Sequence, residues 1–310
     1  MLGKTKRFAR TAAASARRPP WVAPGHYYSP IPNGADTLRA LRWRAASLED
    51  GRPGGRDPDL DPEDRFGGVD LRADRQREVL KQLSPYFGDV PTTRTDGWRY
   101  EPDNSMYGLA DAAVYHAMLR QHTPRRVVEV GSGFSSAIAL DTADRYLRNE
   151  VSFTFIEPYP QRLLSLLSRE DRERCELLRR PVQDAGFEPY EQLEAGDFLF
   201  IDSTHVAKAG SDVNFLFFQV LPRLADGVLV HIHDVLWPFE YSERWLREGR
   251  GWTEAYLLQA FLAYNSVFTI ELFNGWIWHN EPRLISELLP AAADQLPGGI
   301  WLSKRGQPTG

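Results

Sequence analysis

The chain has 310 residues, 42% of them apolar and 25% charged, a balance that supports one large globular domain with an extension. Its net charge of -5 supplies no overall positive field to gather nucleic acid or anionic lipid, and no stretch has the uninterrupted apolar length of a transmembrane span. The single cysteine, Cys175, cannot close an internal disulfide, and there is no cysteine cluster for a metal site, so a reducing cytoplasm is the expected setting.

In chain order, residues 1–20 carry Lys4, Lys6, Arg7, Arg10, Arg17 and Arg18 around an apolar stretch too short for a secretory signal, and read as a flexible basic tail. Residues 36–46 predict a short helix with Leu38, Leu41 and Ala45 on one face, and 71–87 place Leu71, Val79, Leu80 and Leu83 at helical spacing. Between them, 49–70 is crowded with proline, glycine and acid, the composition of a linker or long surface loop. Residues 21–103 together form an N-terminal accessory or lid region. From 104 to 310, short β-rich runs alternate with amphipathic helices, the pattern of an α/β fold with a doubly wound, Rossmann-like parallel sheet. Strands are predicted at 126–130, 152–156, 176–179, 197–201, 227–232, 267–272 and 299–303. Helices are predicted at 135–147, 160–168, 212–224, 253–264 and 282–293. Ligands of such sheets bind beyond the carboxyl ends of the strands, so chemistry is sought in the residues just after each strand.

The first strand runs into Glu129-Val130-Gly131-Ser132-Gly133-Phe134-Ser135-Ser136. Glycines let a backbone approach its ligand and the following helix offers free N–H groups, which marks Gly131, Ser132, Gly133 and Ser135 as cofactor-binding candidates. Ser136 stands where a dinucleotide fingerprint has its third glycine, and Glu129 ends an apolar strand with a carboxylate. Both disfavour a pyrophosphate ligand. Glu129 suits a cationic group such as the ammonium of a methionine moiety, or else is a strand-end carboxylate paired locally. The second strand ends at Glu157, roughly 20 residues past the turn, where an acid accepts hydrogen bonds from both ribose hydroxyls; capping a helix is the alternative. After the third strand, Gln183 and Asp184 offer an amide and a carboxylate to an adenine edge, or form an ordinary surface turn.

Asp202 and His205 follow the fourth strand, and His231, His233 and Asp234 fill the end of the fifth, so a doubly wound sheet brings them together. Oxygen and imidazole donors in one place suit a divalent ion such as magnesium or manganese. His231, two residues from His233 on the same strand face, reads as a packed histidine. Acceptor-pocket candidates are Trp237, Glu240 and Tyr241 after the fifth strand, the 252–256 segment with Glu254, and Asn104 and Tyr107 ahead of the first strand. Aromatic rings stack on sugar or phenyl faces and carboxylates bind hydroxyls. Asn104, Tyr107 and Asp111 equally suit the start and lining of a helix, while Tyr256, Leu257 and Phe261 read as packing.

Glu129-x-Gly131-x-Gly133, Glu157 at the second strand tip and Asp202 after the fourth strand resemble the class I S-adenosylmethionine-dependent methyltransferases over residues 104–310. More narrowly, Ile201-Asp202-Ser203-Thr204-His205, the 210–214 segment, His231-Ile232-His233-Asp234 and the early 25–32 segment resemble a bacterial subgroup associated with polysaccharide or natural-product pathways. The resemblance implies S-adenosylmethionine as cofactor, which brings Asp202 into the cofactor set, and a seven-stranded sheet whose last strand is antiparallel. It also implies that His26 and Tyr27 belong to a lid. Similarity to metal-dependent sugar O-methyltransferases implies Asp202 and Asp234 as carboxylate ligands and His205 as general base. His233 stands where that pattern has the second carboxylate of an acidic pair, as a third ligand or backup base. The expected reaction is methylation of a hydroxyl on a sugar, glycan precursor or secondary metabolite. The competing readings are an NAD oxidoreductase, against which Ser136 and Glu129 stand, a metal hydrolase built on His231-x-His233-Asp234, and a non-catalytic scaffold. The oligomeric state stays open, a homo-oligomer included.

Overall fold

The computed structural model describes Val22, His26, residues 29–50 and residues 65–306. The basic stretch 1–20, residues 25, 27 and 28 of the expected lid, and residues 51–64 of the expected linker lie outside them.

The predicted short helix is longer than its pattern, spanning α1 (Gly34–Asp50). The end of the expected linker is ordered: β1 (Arg65–Phe66) and β2 (Val69–Asp70) pair as a hairpin turned by Gly67 and Gly68. Phe66 and Val69 are each 1% exposed, and the Phe66 ring lies 4.6 Å from Trp237. Two apolar side chains in a polar stretch thus pin the hairpin to the core. Next come α2 (Ala73–Leu83), which packs on the sheet, and α3 (Leu109–His122). Helix α3 is buried from Leu109 to Leu119 on every side, so its sequence carries none of the amphipathic period by which helices were assigned.

The main sheet contains β3 (Arg126–Val130), β4 (Ser152–Ile156), β5 (Glu176–Leu178), β6 (Phe198–Ile201), β7 (Leu229–His233), β8 (Phe268–Phe273) and β9 (Gly299–Lys304). Their order is β5-β4-β3-β6-β7-β9-β8, with β9 antiparallel to both neighbours and the pairs from β5 to β7 parallel. Both faces are covered; every residue of β6 is buried, which is why it reads as the unbroken apolar run Phe-Leu-Phe-Ile. The order reverses between β4 and β6 on either side of β3, and Val130 pairs with both Ile156 and Ile201. The tips of β3, β4, β6 and β7 therefore share one edge, at the switch point where such sheets bind ligands.

Helix α4 (Phe134–Tyr146) follows β3 directly, α5 (Glu254–Leu262) precedes β8, and α6 (Asn274–Asn280), absent from the sequence reading, follows it. The helix predicted at 212–224 is broken. After Asp212–Phe215 the chain widens into a π-turn over Leu216–Val220 and ends as a tight turn, Leu221–Arg223. Pro222 explains this, since it has no N–H to donate and its ring crowds the carbonyl four residues back. Among the described residues, no helix is long and apolar enough to cross a membrane.

Candidate active site

The glycine turn at the end of β3 is tightly committed. Gly131 has φ 76°, and a methyl group there would overlap the Asp202 carbonyl oxygen, so only glycine lets the β3 and β6 tips approach this closely. The turn's three amides are all used: Gly131 donates to the Ile156 carbonyl at 3.1 Å, Ser132 to Glu157 Oε2 at 3.3 Å and Gly133 to Ser136 Oγ at 3.0 Å. Glu157 also accepts from the Tyr159 amide at 2.7 Å, which fixes its carboxylate at the β4 tip. Ser136, the residue in place of the third glycine, therefore closes the turn and does not cradle a ligand.

Glu129 is fully buried. Its Oε1 accepts from Ser135 Oγ at 2.6 Å and Ser136 Oγ at 2.8 Å, while Oε2 has no partner. Burial pushes this carboxyl up to about 8, against the two serine hydroxyls that favour its charged form. A buried acid with one oxygen left over is costly unless something positive or proton-bearing meets it. The Ser132 hydroxyl is likewise buried and unpartnered. A cleft of about 370 Å³ opens beside this turn, running past Glu157 to Val182 and Gln183 and closed on its far side by Thr204 and Lys208. That is the size class of small-molecule sites. The Glu157 carboxylate over the cleft fits a ribose, and the unpartnered Glu129 oxygen, buried behind the turn, fits a cationic or proton-bearing group. Gln183 lines the cleft and donates its amide N–H to the Gly210 carbonyl at 2.8 Å, whereas Asp184 is exposed and outside the cleft walls.

The tips of β6 and β7 deliver a second cluster. His205 and Asp234 have left-handed backbones, with φ 61° and 56°. Non-glycine residues hold this conformation at a cost on the order of 1 kcal/mol or more, and they gather at functional sites where the surroundings enforce it. His205 Nε2 sits between two carboxylates, 3.3 Å from Asp202 Oδ1 and 3.5 Å from Asp234 Oδ2. Its Nδ1 lies 2.8 Å from Glu254 Oε2, and Glu254 Oε1 accepts from Ser203 Oγ at 2.9 Å. Glu254, the first residue of α5, is 1% exposed, so it fixes the imidazole from behind. Burial acts to lower the His205 pKa, but the bonds to Asp202 and Glu254 raise it well above the ordinary histidine value. Against its own desolvation, Asp202 is held below the usual carboxylate value by His205, His233 and Arg162, whereas burial raises Asp234.

One donor atom each from Asp202, His205 and Asp234 lies within 4.8 Å of the other two. Donors bonded at ~2.1 Å to one ion stand roughly 3.0–3.4 Å apart, close to the separations that His205 makes with its two carboxylates. A histidine ligand also usually gives its other nitrogen to a carboxylate, as His205 does to Glu254. These residues fit a divalent cation. The set differs from the expected Asp202, His233 and Asp234: His233 has Nε2 3.7 Å from Asp234 Oδ1, an unpartnered Nδ1, and a ring packed 4.9 Å from Tyr107. It backs Asp234 from the core side. His231 is packed between Phe200 and Trp301, and burial, then His233, holds its pKa well below the ordinary value.

Most of the acceptor candidates are buried in the structure. Trp237 packs on Phe66 in the core. Tyr241 is 2% exposed and accepts the Ala255 amide with its hydroxyl, and Glu240 is buried against Tyr256 Oη and the Tyr241 amide. Asn104 closes its own turn, accepting from the Met106 and Tyr107 amides, and Tyr107 is 3% exposed. Glu254 is the support of His205, not an open acceptor ligand. Trp252 does reach the site, its ring 4.4 Å from His205, and Arg250, which the sequence did not single out, lies over the Trp245 and Trp252 rings. Pro30 of the early segment borders Gly251 in the same loop.

Residues 128–235 match the model of a family described as a methyltransferase domain. An uncharacterized protein of Archaeoglobus fulgidus is 32% identical over 178 residues, 55% of this chain and 73% of the relative. Among solved structures, an apo form of CmcI is 21% identical, covering 72% of this chain and 84% of its own with a TM-score of 0.42. TomG, an O-methyltransferase of Streptomyces achromogenes involved in tomaymycin synthesis and solved with S-adenosylmethionine, is 15% identical, covering 86% and 99% with a TM-score of 0.42.

Proposed function

The chain belongs to the class I S-adenosylmethionine-dependent methyltransferases, and from that premise we propose that it methylates a hydroxyl oxygen of a small acceptor such as a sugar, glycan precursor or other secondary metabolite. The observation that carries this reading is the placement of His205 Nε2 between Asp202 and Asp234, beside the glycine turn whose approach to Asp202 only glycine permits. The sulfonium methyl is already activated. In transfer its carbon–sulfur bond breaks, the electron pair returns to sulfur to give S-adenosylhomocysteine, and a carbon–oxygen bond forms as the acceptor hydroxyl loses its proton. What the protein must add is alignment of that oxygen and a way to remove the proton.

Asp202, His205 and Asp234 would hold a divalent cation, magnesium or manganese, with Glu254 orienting His205 and His233 backing Asp234. When bound there, the ion lowers the pKa of an acceptor hydroxyl. Glu129 meets the cofactor's ammonium and Glu157 its ribose. The half-buried Trp252 ring, lying against His205, offers the acceptor a stacking wall.

A second reading rests on the Glu254–His205 contact alone. With Nδ1 bound to Glu254, Nε2 is the working nitrogen, and His205 takes the hydroxyl proton itself as general base without a metal. A mass-spectrometric screen with labelled S-adenosylmethionine and hydroxylated sugars and phenols, with and without Mg²⁺ or Mn²⁺, tests both. Methylation at oxygen that chelation abolishes supports the first reading, and methylation that survives exhaustive chelation supports the second. Transfer only to nitrogen or carbon acceptors rejects O-methylation.

A further inference from the structure

The methionine end of S-adenosylmethionine is a zwitterion, and the site described so far provides for only half of it. Glu157 and Asp202 place carboxylates on either side of the glycine turn, and the Glu129 carboxyl lies buried behind it. These carboxylates suit the ammonium and the ribose but repel the ligand's own carboxylate. In many anion sites the backbone amides of such a turn take that role. Here the amides of Gly131, Ser132 and Gly133 are already spent inside the protein.

Among the described residues, Lys208 stands on the far wall of the cleft, and a second cation, Arg162, lies directly against the turn. Arg162, in the short helix Gln161–Leu166 just after the β4 tip, lays its stem along Gly133: a methyl group there would lie 3.0 Å from Arg162 Cδ and 3.8 Å from Nη1. Its side chain is exposed, and among the described residues its guanidinium makes no hydrogen bond or ion pair. Other arginines of this domain are committed: Arg99 binds Asp141, Asp144 and Asp171, and Arg174 binds Asp144 and Asp171. Arg162 is nonetheless close enough to act electrostatically on Asp202 across the turn.

We propose that Arg162 closes over Gly133 and binds the methionine carboxylate of the cofactor. The inference rests on S-adenosylmethionine being the cofactor and adds a residue that the glycine motif does not contain. A guanidinium presents paired donors to a carboxylate, and its charge offsets the acidic surroundings of the turn. The bare α-carbon of Gly133 leaves room for the arginine stem to lie against the turn.

The test is calorimetric titration of the full chain and its Arg162→Ala and Arg162→Lys variants with three ligands. S-adenosylhomocysteine has both charges, its decarboxylated analogue keeps only the ammonium, and 5′-methylthioadenosine has neither. Arg162→Ala is expected to weaken S-adenosylhomocysteine roughly ten- to a hundredfold, to leave the other two within about twofold, and Arg162→Lys to recover part of the loss. Unchanged binding of S-adenosylhomocysteine to Arg162→Ala, or an equal loss for all three ligands, overturns the assignment. If the unsubstituted chain binds 5′-methylthioadenosine but gains nothing from the amino-acid end, the assignment fails while an adenosyl site stands. If it binds none of the three, the cofactor reading itself falls.

Discussion

The tips of β3 and β4 and the tips of β6 and β7 lie side by side on one edge of the sheet, yet they hold their carboxylates in opposite ways. In the first pair, Glu129 is bound by two serine hydroxyls and Glu157 by two backbone amides, and among the described residues no histidine hydrogen-bonds to either. In the second, Asp202 and Asp234 flank His205, and His205 is anchored by Glu254. The first half leaves a carboxylate oxygen open, as a receptor for a cationic ligand does. The second satisfies its charges internally and is poised to act on a neighbour. On the proposed function, binding falls to one pair of strand tips and chemistry to the other, and substitutions should separate them.

The largest effect is expected at Asp234. Asp234→Gly removes one of the carboxylates facing His205 and should lower methyl transfer on the order of 10²- to 10³-fold. The backbone there is left-handed, so glycine relieves strain and the melting temperature should hold or rise. A fall in stability alongside activity would mean that Asp234 is a structural residue. Next comes Glu254→Gln, which keeps the shape but removes the charge behind His205; turnover should drop about ten- to a hundredfold, with cofactor affinity unchanged. Equal losses in both assays would erase the division between the halves.

The smallest effect is a pH dependence confined to the first half. Burial raises the Glu129 carboxyl from an ordinary 4.5 to about 8, so the ligand-free folded chain binds a proton there more tightly than the unfolded chain does. Its contribution to stability is full below pH 4.5 and is lost as pH rises toward 8. The melting temperature of the ligand-free chain should therefore fall by a few degrees between pH 6 and 8.5, and less so with saturating S-adenosylhomocysteine, whose ammonium would meet the buried charge. In Glu129→Gln the slope should flatten. Parallel slopes with and without ligand would place the ammonium elsewhere.

The two halves also differ in how far the sequence exposes them. The glycine turn and Glu129 lie within eight residues, and Glu157 directly follows the next strand, so one local pattern contains the half proposed to hold the cofactor. The strands were legible for a related reason: β6 is buried on both faces and reads as an unbroken apolar run, and the other strands are short runs rich in β-branched and aromatic residues. The second half was legible only in part. Asp202, His205 and Asp234 follow from neighbouring strand tips, but Glu254 is 49 residues from His205 and opens a helix, where an acid suits the helix terminus equally well. The left-handed turns that aim His205 and Asp234 have no glycine to announce them. Trp237 and Tyr241 are buried, which the sequence could not announce, because aromatics after a strand have one sequence signature whether they line a pocket or fill a core; Phe66 of the hairpin covers Trp237, and Trp252 and Tyr256 pack on Tyr241.

The most direct test of the division is to measure S-adenosylhomocysteine affinity and methyl transfer at saturating cofactor on the same two variants, Glu157→Ala and His205→Ala. The account predicts that Glu157→Ala loses affinity about tenfold or more and keeps most of its turnover, while His205→Ala keeps affinity within roughly twofold and loses turnover at least about a hundredfold. Loss of cofactor affinity in His205→Ala, or full turnover in it, would contradict the account.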